Sequence, residues 1–327
     1  MYPKRWINRS SSVGCQRLRI LCKHLRMSST SAEMDTEVLL EIKNKVGMIT
    51  LNRPKALNAL NLNMIRQIYP VLKKWDVDPA VGLVVIKGAG DRAFCAGGDV
   101  RAVADAGKKG DELTKIFFKE EYMLNYAIGK LHFNVIHVLL GERLKGYDVK
   151  HAGVATHFVT SEKLSDLESS LLNLSDPQLN DVQNVLDDYD KKCSEGQKEF
   201  VLEKFTHKID SCFDKPTLEE ILQALKEDGS DWALKQIEVL NKMSPISLKI
   251  TLRQLQEGAN LSLGECLKME YRLTQRCMAD NDFYEGIRAV LVDKDNSPKW
   301  QPSTLDAVSK GKVDSYFETL GDRELVL

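Results

Sequence analysis

The stretch GLVVIKGAGDRAFCAGGDV, residues 82–100, decides how this chain is read. Its first part is a short apolar run bounded by Gly82 and Gly88, the pattern of a strand buried on both faces. Its second part, Ala93-Phe94-Cys95-Ala96-Gly97-Gly98-Asp99, is a loop that opens into a helix near Asp99. Paired glycines allow close backbone approach and unusual dihedral angles. The first turn of a helix presents N–H groups with no partner inside the helix. Together they can hold an oxyanion that develops during acyl chemistry. An ordinary tight strand–helix turn accounts for the motif equally well at this level. The loop is no phosphate-binding loop, because neither GxxxxGK followed by Ser or Thr nor GxGxxG is present.

Outward from this loop, the front of the chain alternates strands and helices. Residues 37–43 and 46–51 read as two short strands separated by Asn44 and Lys45, a hairpin pattern. Asn52-Arg53-Pro54-Lys55 is a turn with a proline stop. Residues 61–75 read as a helix with Met64, Ile65, Ile68, Leu72 and Trp75 as its apolar stripe, and Pro70 predicts a kink in it. This is an α/β plan. From residue 161 onward the apolar spacing is helical almost throughout, punctuated by Pro177, Pro216 and Pro245, with Ser244 as an N-cap. The divisions expected are a leader over 1–32, an α/β core over 33–160 and a helical region over 161–327.

Of the 327 residues, 43% are hydrophobic and 28% charged, a globular composition. No apolar run approaches the ~18 residues of a membrane-spanning helix. Seven cysteines without a CxxC pair give neither a zinc ribbon nor a disulfide framework, and suit a reducing compartment. Residues 1–32 hold seven basic residues and no acidic one, which leaves 39 basic against 47 acidic residues, a net −8, for the rest. Leu18, Leu21, Cys22 and Leu25 lie at helical spacing beside Arg19, Lys23 and Arg26. A basic, serine-containing, acid-free leader of this kind predicts import into the mitochondrial matrix followed by removal. The acidic remainder argues against nucleic acid as a partner, and no metal ligand set or organic cofactor motif stands out.

ITLNRPKALNALNLNMIRQI (49–68) followed by VVIKGAGDRAFCAGGDVR (84–101) resembles the crotonase, or enoyl-CoA hydratase/isomerase, superfamily. The resemblance implies a crotonase-like ββα spiral core, an acyl-CoA thioester ligand, and no metal or cofactor. It maps an oxyanion-binding N–H onto Gly98, with Ala96 and Gly97 beside it. It places Ala56, Leu57, Asn58, Ala59 and Leu60 along the CoA. FFKEEYMLN (117–125), MSPISLKITLRQL (243–255), MEYRLTQRCM (269–278) and DFYEGIRAVLVDKDNSPKW (282–300) narrow the resemblance to the branch that hydrolyses 3-hydroxyisobutyryl-CoA in valine breakdown. Within it Glu121 matches a substrate-contacting glutamate. A homo-oligomer is left open, and a hydratase or isomerase is the competing activity.

One departure from the family pattern stands out. The family follows the EEYMLN helix with a strand, a GGG helix that carries a second oxyanion N–H, and a PET…FPDVGG stretch that carries the catalytic Glu and Asp. None of these occurs here. Gly129 runs through GKLHFNVIHVLLG to Gly141 alone, and about 60 residues, enough for several elements, are missing from the pattern. The expected core is therefore incomplete near 129–141, and a catalytically impaired variant with weak CoA binding is the second reading. His132 and His137 read as packed residues; Glu120, Glu142 and Asp148 read as solvated ones.

Overall fold

The computed structural model of the chain describes residues 20–25, 36–129, 144–197 and 199–327. Four strands form one sheet: β1 (Ile20–Leu25), β2 (Val38–Lys43), β3 (Val46–Leu51) and β4 (Leu83–Ala89), in the order β1-β4-β3-β2. β2 and β3 are the expected antiparallel hairpin, in the register Val38↔Leu51 to Lys43↔Val46. Asn44 and Lys45 both take positive φ, 48° and 63°, the conformation of a two-residue turn that matches strand twist.

α1 (Leu62–Val77) returns the chain so that β4 pairs parallel to β3. The Asn61 side chain caps the helix by accepting a hydrogen bond from the Met64 N–H at 2.9 Å. Its expected stripe, Met64, Ile65, Ile68, Leu72 and Trp75, is buried in full. The helix runs through Pro70 as a single element, two residues beyond its expected end. Gly47 makes room for it: a Cβ there would lie 2.6 Å from the Trp75 ring.

The sheet is covered on both faces. Ile49, Leu51, Val84 and Ile86 pack against α1, α2 (Val100–Lys108) and α3 (Leu113–Ile128). After α4 (Tyr147–His151), α5 (Leu164–Leu172) and α6 (Leu179–Ser194) close over Val46, Met48, Leu83 and Val85. This is why β3 and β4 read as near-continuous apolar runs. Beyond them come α7 (Thr206–Phe213), α8 (Leu218–Asp228), α9 (Asp231–Lys242), α10 (Pro245–Gly258), α11 (Leu263–Met278), α12 (Asn281–Ile287) and α13 (Lys310–Phe317). The Ser244 hydroxyl caps α10 from just before Pro245, as expected, accepting from the Ser247 N–H at 3.2 Å. α11 packs on α3 through Leu267, Tyr271 and Tyr122, so the helical region meets the helix that carries Glu121.

The leader residues with helical spacing do not form a helix where they are described: Ile20–Leu25 is a strand on the outer edge of β4. A pairing partner more than 60 positions away overrides local spacing here. The segment around His132 and His137, read as a short strand or helical turn, lies outside the described residues, as does Glu142.

Candidate active site

Two loops build the site, one following β3 and one following its parallel neighbour β4. In the first, Leu57 and Asn58 both take left-handed φ, 51° and 56°. Asparagine tolerates that conformation, whereas leucine adopts it only when held. The Asn58 side chain does the holding. It is fully buried, accepts from the Arg53 N–H at 2.9 Å, and donates to the carbonyls of Ala89 and Ala93 at 2.9 and 2.8 Å. Its own backbone N–H donates to the Arg53 carbonyl at 2.8 Å, so Asn58, expected along the CoA, serves instead as the buried brace of the loop. Gly88 belongs to the same joint, since a Cβ there would collide with the Phe94 carbonyl oxygen.

The second loop is stitched to the first as a short parallel ladder. The Ala96 N–H donates to the Leu57 carbonyl at 3.0 Å, Leu60 N–H to Gly97 at 2.8 Å, and Asp99 N–H to Leu60 at 2.7 Å. Leu60 and Gly98 are the bridged pair. In a parallel bridge whose bonds run to the residues on either side, the middle residue turns its own N–H away from the partner. Gly98 N–H is thus aimed off the ladder, and it has no acceptor among the described residues. Gly97 needs to be glycine, with φ +88°. Asp99 then caps α2 by accepting from the Ala102 N–H at 3.3 Å. Ala96 and Gly97 are exposed; Ala56, Ala59, Leu60 and Gly98 are half-buried.

Arg53 fastens both loops. Its guanidinium donates to the Ala59 carbonyl at 2.7 Å and to the Asp99 carboxylate at 3.1 Å, and pairs with Glu37 at 3.1 Å. The expectation for this part of the chain named only the turn, because Glu37, Ala59 and Asp99 come together only in the fold.

Glu121, from the third turn of α3, reaches the same point. A Cβ on Gly98 would lie 3.2 Å from its Oε1 and 3.0 Å from the Phe117 ring. Burial, and secondarily the negative charge of Glu270 on α11, push the Glu121 carboxyl up to about 7. Glu270 is itself raised by burial. Burial also raises the Cys95 thiol. The neighbouring Glu120 is turned away and held by Arg66 in two bonds of 2.8 and 2.7 Å. Asp148 accepts from the Val201 N–H at 3.1 Å, distant in sequence from this loop.

A cavity of about 310 Å³ lies alongside, lined by Phe118 and Tyr122 of α3, Gln254 of α10, Glu270 and Thr274 of α11, and Phe283 of α12. Glu121 links loop and cavity: its carboxyl meets Gly98 and feels Glu270, which lines the cavity. Glu270 went unnoticed in the sequence, since it sits among the buried Leu267, Met269, Tyr271 and Leu273 with no spacing of its own. Among the described residues no cluster of His, Cys, Asp and Glu is placed to hold a metal, and no helix is long and apolar enough to cross a membrane.

A glycine N–H aimed out at a helix start, beside a neutral-range carboxyl, is an acyl-chemistry arrangement. The chain belongs to the enoyl-CoA hydratase/isomerase family, whose pattern it matches over residues 46–141 and again over 136–317. Within that family it is 47% identical to the mitochondrial 3-hydroxyisobutyryl-CoA hydrolase of Danio rerio over 376 residues, covering 96% of this chain and 98% of the relative. It is 45% identical to the human protein of the same name over 369 residues, covering 95% of each. Among solved structures it is similar to a carnitinyl-CoA dehydratase from Mycobacterium thermoresistibile (TM-score 0.77, 26% identity, 89% of this chain and 98% of that one). An enoyl-CoA hydratase from Rhodobacter sphaeroides gives a TM-score of 0.75 at 29% identity, over 89% of this chain and 100% of that one.

The comparisons also locate the missing segment. The family pattern is met in two pieces whose junction is 136–141. The span aligned with the Danio rerio relative exceeds the part of this chain it covers by about 60 positions.

Proposed function

We propose that this chain is a CoA-thioester enzyme of the hydrolase branch, acting on 3-hydroxyisobutyryl-CoA to give 3-hydroxyisobutyrate and CoA in valine breakdown, with a site that works far below full rate. The observation that carries the reading is the Gly98 N–H, which has no acceptor among the described residues, in a loop where a Cβ on Gly98 would lie 3.2 Å from the Glu121 carboxyl. Gly98, flanked by Ala96 and Gly97, takes the thioester oxygen, while the backbone of Ala56, Ala59 and Leu60, braced by Asn58, lies along the CoA. Glu121 lines the acyl end. In hydrolysis, water adds to the thioester carbon, the C–S bond breaks, and the thiolate takes up a proton. A carboxyl near neutrality can accept the proton of the attacking water or return one to the leaving sulfur. A single such group, with a single oxyanion donor, serves the reaction poorly. Loss of one oxyanion donor alone costs ~10²–10³ in kcat.

Thiol release from 3-hydroxyisobutyryl-CoA, set against hydration of an enoyl-CoA, tests this reading. Slow thiol release from the hydroxyacyl thioester, with no hydration of the enoyl-CoA, is expected. Hydration without thiol release would replace the reading with a hydratase. CoA binding without either reaction would leave the non-catalytic variant, which the absence of the GGG and PET…FPDVGG stretches from the sequence favours.

We place the protein in the mitochondrial matrix, on the strength of the acid-free leader and of relatives named as mitochondrial. A reporter carrying residues 1–35 should co-localise with mitochondria; a diffuse cytosolic signal would refute the placement.

A further inference from the structure

β2 is the end strand of the sheet on its side, and its outer edge is bare among the described residues. The Asn52 N–H donates to the Glu37 carbonyl at 2.8 Å, so in the hairpin register residues 37, 39, 41 and 43 turn their backbone groups toward β3. Val38, Leu40 and Ile42 turn theirs outward, where no described group bonds to them. Their side chains share the face that Ile49 and Leu51 give to α1. Val38 is covered by the core, whereas Leu40 and Ile42 are 37% and 47% exposed. An edge strand that shows leucine and isoleucine to solvent is a template for pairing with another chain. The charges on the strand do not blunt it: Glu41 and Lys43 lie on the opposite face and pair with each other at 2.8 Å.

The edge is self-complementary. Glu37-Val38-Leu39-Leu40-Glu41-Ile42-Lys43 can be laid antiparallel on a second copy of itself about Leu40. Leu40 then faces Leu40, and Val38 faces Ile42 at both ends, pairs whose outward N–H and C=O groups exchange two bonds each. Lys43 stands opposite Glu37, an attractive pair, and Glu41 stands opposite the uncharged Leu39. A slip of two residues in either direction keeps the backbone pattern but sets Glu41 opposite Glu41 or opposite Glu37, like charges face to face. A larger slip toward the turn meets residues already engaged: the Asn44 amide donates to the Leu172 carbonyl at 3.0 Å, and Lys45 pairs with Asp176 at 2.8 Å.

We propose that the outer edge of β2 is an interface between two copies of this chain, joined antiparallel about Leu40 into one continuous sheet. The contact uses the same patch on both copies, so it closes as a dimer and covers both bare edges at once. It brings the exposed Leu40 and Ile42 of one copy onto Leu40 and Val38 of the other. It does not depend on the proposed activity, because β2 supplies no residue to the loops around Gly98.

Two measurements on the full chain test it. Sedimentation should show a dimer at micromolar concentration. Leu40→Lys sets two ammonium groups face to face at the two-fold axis and should raise the dimer Kd at least ~100-fold, leaving a monomer. A monomeric native chain, or a dimer that Leu40→Lys leaves intact, would overturn the proposal. Cross-linking reads the register. In Leu40→Cys the new thiols lie on facing positions about 5.5 Å apart at Cα, within the separation a disulfide bridges. In Ile42→Cys, at the more exposed position, they stand about 13 Å apart along the strand. Leu40→Cys should form an intermolecular disulfide, mapped by peptide mass to position 40 of both chains, at least ~10-fold faster than Ile42→Cys forms its own. Equal rates would also overturn the proposal, and this comparison decides if Leu40→Lys does not fold.

Discussion

The carboxyl of Glu121 and the backbone of Gly98 are in contact range: a methyl group on Gly98 would sit 3.2 Å from Oε1 and 3.0 Å from the buried Phe117 ring. Only a residue without a side chain lets the oxyanion loop and α3 close to this distance. Phe117 is 1% exposed and has nowhere to retreat. Gly98→Ala should therefore cost about 1–3 kcal/mol, the usual penalty for overpacking, and push the Glu121 carboxyl off the loop. A urea midpoint read beside that of the unmodified chain checks this; an unchanged midpoint would mean the loop and α3 stand farther apart than described.

Glu121 also sets a pH dependence. Its carboxyl ordinarily titrates at 4.5 and is raised to about 7, chiefly by burial and then by Glu270. A raised acid binds its proton more tightly folded than unfolded. Its contribution is thus most favourable below 4.5, is lost as pH climbs from 4.5 to 7, and is flat above. Glu121→Gln removes that charge, so the variant should gain stability relative to the native chain as pH rises, by about 3 kcal/mol at pH 8. Near pH 4 the two should differ little from this source. Melting temperatures across that range give the answer, and parallel pH profiles would show that Glu121 is solvated.

The Asn58 amide ties three backbone groups together: the Arg53 N–H and the carbonyls of Ala89 and Ala93. Asn58→Ala leaves them unpaired beside a fully buried position and removes the brace on left-handed Leu57. A loss of about 3 kcal/mol or more is expected from buried groups without partners. Denaturant unfolding measures it, and Asn58→Asp separates the acceptor, which it keeps, from the two donations, which it loses.

How far this was readable in the sequence follows from the range of each interaction. The β2–β3 hairpin, α1 and its stripe, β4 and the helix start near Asp99 rest on spacing or turn chemistry within some fifteen residues, and all are found. The strand at Ile20–Leu25 was legible only as a helical stripe, because its partner is β4 and not its neighbours. Glu270 was invisible for the same reason: it acts on Glu121 across the α3–α11 contact, 149 positions along the chain. The loop itself read equally well as a plain turn; the Leu60–Gly98 bridge shows which way its N–H points, and that is a property of two loops together.

With one oxyanion donor and the backbone at 56–60, CoA itself should bind weakly. Titration calorimetry is expected to give a Kd in the high micromolar range or above, about −5 kcal/mol or less favourable. Submicromolar binding would mean that the pocket is whole and that the absent segment contributes little to it.

The strongest test restores what the sequence lacks. Gly98 offers one N–H and Glu121 one carboxyl, whereas general acid–base and nucleophilic steps need groups within ~3 Å of each reacting atom. A chain with the family's segment placed between Gly129 and Gly141 would regain the second donor and both further carboxylates. Its kcat/KM for 3-hydroxyisobutyryl-CoA should exceed that of the present chain by at least ~10³. Both proteins must show a cooperative thermal transition, so that the comparison reads chemistry and not folding. Agreement within tenfold would place the catalytic groups in the sequence already present. Glu121 would then carry the proton transfers, and Glu270, which raises it, would become the next residue to substitute.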